Sequence, residues 1–188
     1  MYPSFSILPK GEISNAFLER NITSFYEACL FIGDLPYGRN SNINRLVDLF
    51  EEQCGTCSTK HALLKLLAEE NNFNGLRLIL GMYKMNAINS PKLKVILEQN
   101  KLDYLPEAHC YLIYNNQIID HTNNKSKLTD FSDDFLGEIE INVDEITDLK
   151  VTYHKNYLKD WLSKNQLIKY TLSEIWDIRE QCIKSLSN

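Results

Sequence analysis

Long apolar runs are missing from this chain. No window approaches the ~18 apolar residues of a membrane-spanning helix, so a membrane is not an expected partner. The opening stretch MYPSFSILPKGEIS lacks a basic start leading into an apolar stretch, so it does not read as a secretory leader. Basic clusters are missing too. The chain has 20 Lys and Arg against 25 Asp and Glu, a net charge of -5. Without a basic face, nucleic acid is excluded as a partner. With 7 glycines and 5 prolines, turn-formers are too few for a linker or repeat protein, and no internal repeat is present. Cysteines are few and odd in number. Cys29, Cys54, Cys57, Cys110 and Cys182 are scattered, which suits reduced thiols in a cytoplasmic protein better than a disulfide framework.

What remains is ordinary globular material. The 188 residues are 44% hydrophobic and 24% charged, and the expectation is a single domain over 1–188. Periodicity predicts a helix over Ile13–Ile32, a short one over Ile43–Gln53, and another from about Thr56 to Asn71 with Ala62, Leu63, Leu66 and Leu67 inward. Leu76–Met85 reads as a strand and Lys92–Asn100 as a helix. After Pro106, two apolar runs flank Asn115-Asn116, the pattern of a β-hairpin. Phe135–Val143 reads as a strand, and Tyr153–Lys164 and Leu172–Leu186 as helices carrying Trp161 and Trp176 in the core. The order predicts an α+β fold, a mostly antiparallel sheet against clustered helices.

The stretch QCGTCSTKH, Gln53 to His61, carries the chemistry. Three readings compete for it. Cys54-x-x-Cys57 has the form of a redox dithiol, but such a motif follows a buried strand, and RLVDLFEEQ before it reads as helix. A zinc site could draw on Cys54, Cys57 and His61 with His109 or Cys110, but no second closely spaced pair completes it. In the third reading Cys57 is a nucleophile. A thiol in the first turn of a helix lies near its positive end, which favours thiolate. The same end can hold the oxyanion of a tetrahedral intermediate.

A nucleophilic thiol needs a base and a group to orient it. His109 and Asp120 lie at the two ends of the predicted hairpin, 11 residues apart with the Asn-Asn turn near the middle. Folding there brings them within cross-strand reach. His61, one turn past Cys57, reads as a surface or packing residue, Cys54 as a structural thiol and Cys110 as core. Gln53, Tyr37, Arg39 and Asn40 are second-tier candidates for substrate or oxyanion contacts.

The stretches GTCSTKHALLKLLAEE, NGLRLILGMYKM, EAHCYLIYNNQIID and DHT together resemble the transglutaminase-like superfamily of cysteine enzymes over residues 53–122. The resemblance implies a papain-like α+β core and a Cys-His-Asp triad. Cys57 would be nucleophile, His109 general base and acid, and Asp120 the orienting carboxylate, with Gly75, Gly81 and Thr122 at structural positions. Cys110 follows the histidine where the family usually has an aromatic. The implied activity is acyl transfer or amide hydrolysis on a peptide, amide or small-molecule acyl substrate. No cofactor follows from that chemistry. The acidic loop DFSDD, Asp130 to Asp134, lacks the ordered pattern of a calcium loop, so no metal is expected. The alternative is an inactive transglutaminase-like module that binds or scaffolds.

Overall fold

A computed structural model describes residues 2–123 and 133–186. The fold is α+β, with seven α-helices among the described residues and a four-stranded antiparallel sheet. The helices are α1 (Glu12–Leu18), α2 (Phe25–Asp34), α3 (Leu49–Glu52), α4 (Cys57–Glu70), α5 (Lys94–Gln99), α6 (Asp148–Lys164) and α7 (Leu172–Leu186). The strands are β1 (Arg77–Asn86), β2 (Tyr104–Tyr114), β3 (Gln117–Ile119) and β4 (Phe135–Ile141), in the order β3-β2-β1-β4. No helix among the described residues is long and apolar enough to cross a membrane. Of the acidic loop, residues 130–132 lie outside the described residues, and Asp134 accepts a hydrogen bond from the Asn89 amide at 2.8 Å.

The chain divides into two compact units. The first comprises the chain up to Leu80, the stretch beginning at His109, and Glu138–Thr147. Its N-terminal helix differs from the expected single run. Apolar spacing carries on across residues 19–24, but the backbone breaks there, with Asn21 in the left-handed region at φ 59°. Ser24 and Glu27 then form a capping box that starts α2 afresh. Packing fixes α1 from a distance. The Glu70 carboxylate, at the C-terminal end of α4, accepts from Ile13 N at 3.0 Å and Ser14 N at 2.7 Å. These are among the N–H groups that a helix start leaves without an intrahelical carbonyl. A Cβ at residue 11 would lie 2.2 Å from the Glu70 carboxyl carbon, so a larger residue there would push the carboxylate off Ile13 and Ser14. Phe17 meets Phe50 edge-on at 4.8 Å, and Phe5 stacks between Phe25 and Phe73.

Along α4 the buried stripe is Cys57, Lys60, His61, Leu64, Leu67 and Ala68, the i, i+3, i+4, i+7 face. Leu66, expected inward, is only half-buried, and Leu64 takes its place. The hairpin forms about the expected turn: Asn115 and Asn116 both adopt positive φ, 49° and 59°, the type I′ geometry. Its register pairs Leu112 with Ile119 and Tyr114 with Gln117.

The second unit comprises Gly81–Ala108, the stretch leading to Gly137, and the chain from Asp148. Met85, Leu93, Leu97, Leu105, Leu158, Trp161, Ile175 and Cys182 form its core. Trp161 is thus core, and Trp176 packs half-buried against it. Buried Glu107 is paired with the partly buried Arg179 through two hydrogen bonds of 2.8 and 2.5 Å. Arg179 holds the Glu107 carboxyl below its ordinary range despite burial, which works the other way. His154, also buried, donates from Nε2 to the Pro106 carbonyl at 2.9 Å. Two elements begin earlier than their apolar spacing suggests: β2 at Tyr104 and α6 at Asp148.

Candidate functional site

The site assembles within the first unit, on the first turns of α4 and on the hairpin. Thr56 is the N-cap of α4. Its hydroxyl accepts from Thr59 N at 3.3 Å, and the Thr59 hydroxyl accepts from Thr56 N at 3.0 Å. Cys57 is therefore the first residue of a properly capped 14-residue helix, at the positive end of its dipole. The loop ahead of it is clamped by the second-tier candidates. Gly55 N donates to Pro36 O at 3.1 Å, and Gly38 N to Gly55 O at 3.2 Å, a parallel bridge that aligns Tyr37 with Gly55. Asn40 donates to Cys54 O at 3.0 Å and accepts from the Thr59 hydroxyl at 2.8 Å. Gln53 turns the chain in the left-handed region, and its amide donates to Phe50 O. Asn40 and Gln53 thus shape the loop with the groups that were candidates for an oxyanion or substrate. Arg39 is exposed.

The structure brings Cys57, His109 and Asp120 together. His109 lies in the middle of β2 rather than at its start. Strand alternation puts His109 and Tyr111 on one face, where their rings stack 6.2 Å apart. Continuing the hairpin register sets Asp120 opposite Tyr111, one diagonal step from His109. His109 Nε2 donates to Asp120 Oδ2 at 2.8 Å. The Cys57 side chain hydrogen-bonds to His109. With Nε2 taken by the carboxylate, Nδ1 is the ring nitrogen left for sulfur. The other Asp120 oxygen accepts from Thr122 N at 2.8 Å and from the Thr122 hydroxyl at 2.6 Å. Cys57 is buried, the Asp120 side chain keeps 7% exposure and the His109 side chain 15%.

Charge follows from this geometry. Burial disfavours the charged His109 ring, but Asp120 and Cys57 outweigh it and push the imidazolium up to about 10. Asp120 is buried as well, yet His109 and the Thr122 hydroxyl hold its carboxyl far below the usual range. Both shifts favour the same state, a charged ring against a charged carboxylate.

Two neighbours on α4 were not expected at the site. His61 is completely buried. Its Nδ1 lies 2.8 Å from Cys57 O, and its Nε2 receives His121 N–H at 2.8 Å. A carbonyl only accepts and an amide N–H only donates, so the ring is the neutral Nδ1–H tautomer. Burial drives its pKa down to about 4 against the pull of Asp120. His61 is thus neither a surface residue nor a second base. Lys60 is also completely buried, its ammonium donating to Leu35 O at 2.5 Å and Thr122 O at 2.7 Å. Cys110, on the opposite face of β2 from His109, is core and accepts from the Ser58 hydroxyl at 3.5 Å. None of the five cysteines is in a disulfide. Among the described residues no cluster of three or more His, Cys, Asp or Glu side chains is placed to hold a metal. The zinc reading loses His61 for a plain reason: both of its ring nitrogens already have partners.

Protein-family models, the curated proteins and the solved structures yield no match to this chain.

Proposed function

We propose that the protein is a cysteine enzyme that breaks or exchanges an amide or ester bond through a Cys57 thioester, with a papain-like core of the kind the transglutaminase-like superfamily uses. One observation carries the reading: the hydrogen-bonded relay from Cys57 through His109 to Asp120 at the start of a capped helix. Nucleophile, base and orienting carboxylate stand in the order and contact that thiol catalysis requires.

The chemistry runs in two halves. Cys57 gives its proton to His109, and the thiolate attacks the carbonyl carbon of the substrate, forming the C–S bond. The oxyanion faces the positive end of α4. As the tetrahedral intermediate collapses, the C–N or C–O bond breaks and His109 returns the proton to the leaving group. A water or an amine then gives its proton to His109 and attacks the thioester. The C–S bond breaks, and the thiolate is restored beside a charged ring. Asp120 stays ionised throughout, keeping the proton-bearing Nε2 toward itself and Nδ1 toward sulfur. The acyl acceptor decides between hydrolysis and transfer. The substrate class is a peptide, amide or small acyl donor.

The test is the alkylation rate of each cysteine by iodoacetamide against pH, read by peptide mass spectrometry, in wild type and in His109→Ala. Cys57 is expected to react well below the ordinary cysteine range near ~8.5, and to lose that advantage without His109. A Cys57 that titrates in the ordinary range in both proteins overturns the reading in favour of a binding module.

A further inference from the structure

Lys60 is a buried cation that the relay chemistry does not use. It lies on the apolar stripe of α4, three residues past Cys57, where a leucine would pack without desolvating a charge. Its hydrogen bonds go to two backbone carbonyls, Leu35 O and Thr122 O. Carbonyls solvate an ammonium but do not neutralise it, so an uncompensated charge there would be costly to bury. Compensation is nearby. Thr122, whose carbonyl holds the ammonium, gives its own N–H and hydroxyl to Asp120. The groups whose charge Lys60 feels are Asp120 after β3, Cys54 and Cys57 around the start of α4, and Asp34 at the end of α2.

The charge count gives Lys60 a task. With His109 already charged, loss of the Cys57 proton to solvent takes the relay from net zero to one net negative charge, a thiolate, an imidazolium and a carboxylate in a buried site. His61 is neutral and adds nothing. We infer that Lys60 is a positioning residue of the proposed thiol chemistry, the fourth charge that brings the activated Cys57–His109–Asp120 relay to neutrality and so holds Cys57 as thiolate. The inference rests on the cysteine-enzyme reading above. Burial lowers the Lys60 pKa to about 8, against the opposing pull of Asp120, Cys54, Cys57 and Asp34. The support is therefore full below that pH and fades as pH rises through it.

Iodoacetamide again serves as the probe. In Lys60→Met, of similar length but uncharged, the apparent pKa of Cys57 alkylation is expected to rise by about one unit, a roughly tenfold slower reaction on the acid side. A role limited to anchoring the Leu35 and Thr122 carbonyls would lower thermal stability and slow Cys57 alkylation at every pH without moving its midpoint. A folded Lys60→Met whose midpoint overlays wild type overturns the inference while the relay reading stands. If wild-type Cys57 shows no early thiolate, the relay reading falls first and takes the inference with it. Should Lys60→Met fail to fold, NMR titration of the Lys60 side chain decides, comparing wild type with Cys57→Ser. Coupling is reciprocal, so loss of the thiolate is expected to lower the Lys60 midpoint by about one unit. An unchanged midpoint overturns the inference.

Discussion

The neutral, buried state of His61 makes a prediction that needs no substrate. In the folded protein the ring resists protonation down to about 4. In the unfolded chain it takes a proton near ~6.5. The folded pKa is the lower one, so the unfolded state gains protons first as pH falls. Stability is untouched above that range and declines between about 6.5 and 4. Integrating the difference gives a loss of about 2 kcal/mol between pH 7 and pH 5, and about 3 kcal/mol once both states are protonated. His109 and His154 also titrate differently in the folded protein, so the slope of wild type alone does not isolate His61. The variant His61→Gln does. It should start less stable at pH 7 by about 1–3 kcal/mol, because Cys57 O or His121 N–H loses its partner. It should then lack the acid slope that His61 supplies. Urea unfolding of both proteins at pH 7 and pH 5 gives four free energies. The gap between wild type and variant is expected to narrow by about 2 kcal/mol at the lower pH. A gap that does not change would refute the reasoning, and His61 would be taking up protons in the folded state.

Two other substitutions test the fold, one in each unit. Thr56→Ala removes the hydroxyl that caps α4 at Thr59 N and should cost about 1 kcal/mol, read as a lower urea midpoint with an unchanged slope. Arg179→Met leaves the Glu107 carboxylate buried without its two hydrogen bonds, and a loss of about 3–5 kcal/mol is expected in the same assay; a loss under about 1 kcal/mol would show the pair to be solvated.

The relay was legible in the sequence because each part of it has a local signature. Asn115-Asn116 between apolar runs marks a two-residue turn, and the turn fixes which residues face each other across the hairpin. Gly55-Thr56-Cys57 marks a helix start, and the cap sets the cysteine on the first turn. The break between α1 and α2 was legible too, in Ser24-Phe25-Tyr26-Glu27, but apolar spacing that continues across the break hides it. Lys60 and His61 are different. A polar residue beside Cys57 reads as solvated by type alone, and only its place on the stripe of Cys57, Leu64 and Leu67 hints at burial. Their partners are beyond any local pattern. Lys60 reaches carbonyls 25 and 62 residues away, and His61 an amide 60 residues away.

Those long-range ties have a common feature that bears on how the site is built. His61 holds the backbone of His121, and Lys60 holds the backbone of Leu35 and of Thr122. On the α4 side the bonding groups are side chains, and on the other side they are main-chain atoms. The hairpin end and the loop after α2 are therefore located by whatever chain passes there, largely independent of the side chains at 35 and 121. The burden of alignment falls on residues 60 and 61, next to Cys57. A relay of this kind is sensitive to small displacements, since proton transfer and attack both need the reacting atoms in register. Setting the two clamps on the same helical turn as Cys57 makes the distance from sulfur to the His109–Asp120 pair a property of one rigid element and two backbone anchors. That arrangement gives a reason for burying a lysine and a histidine where apolar residues would pack at less cost.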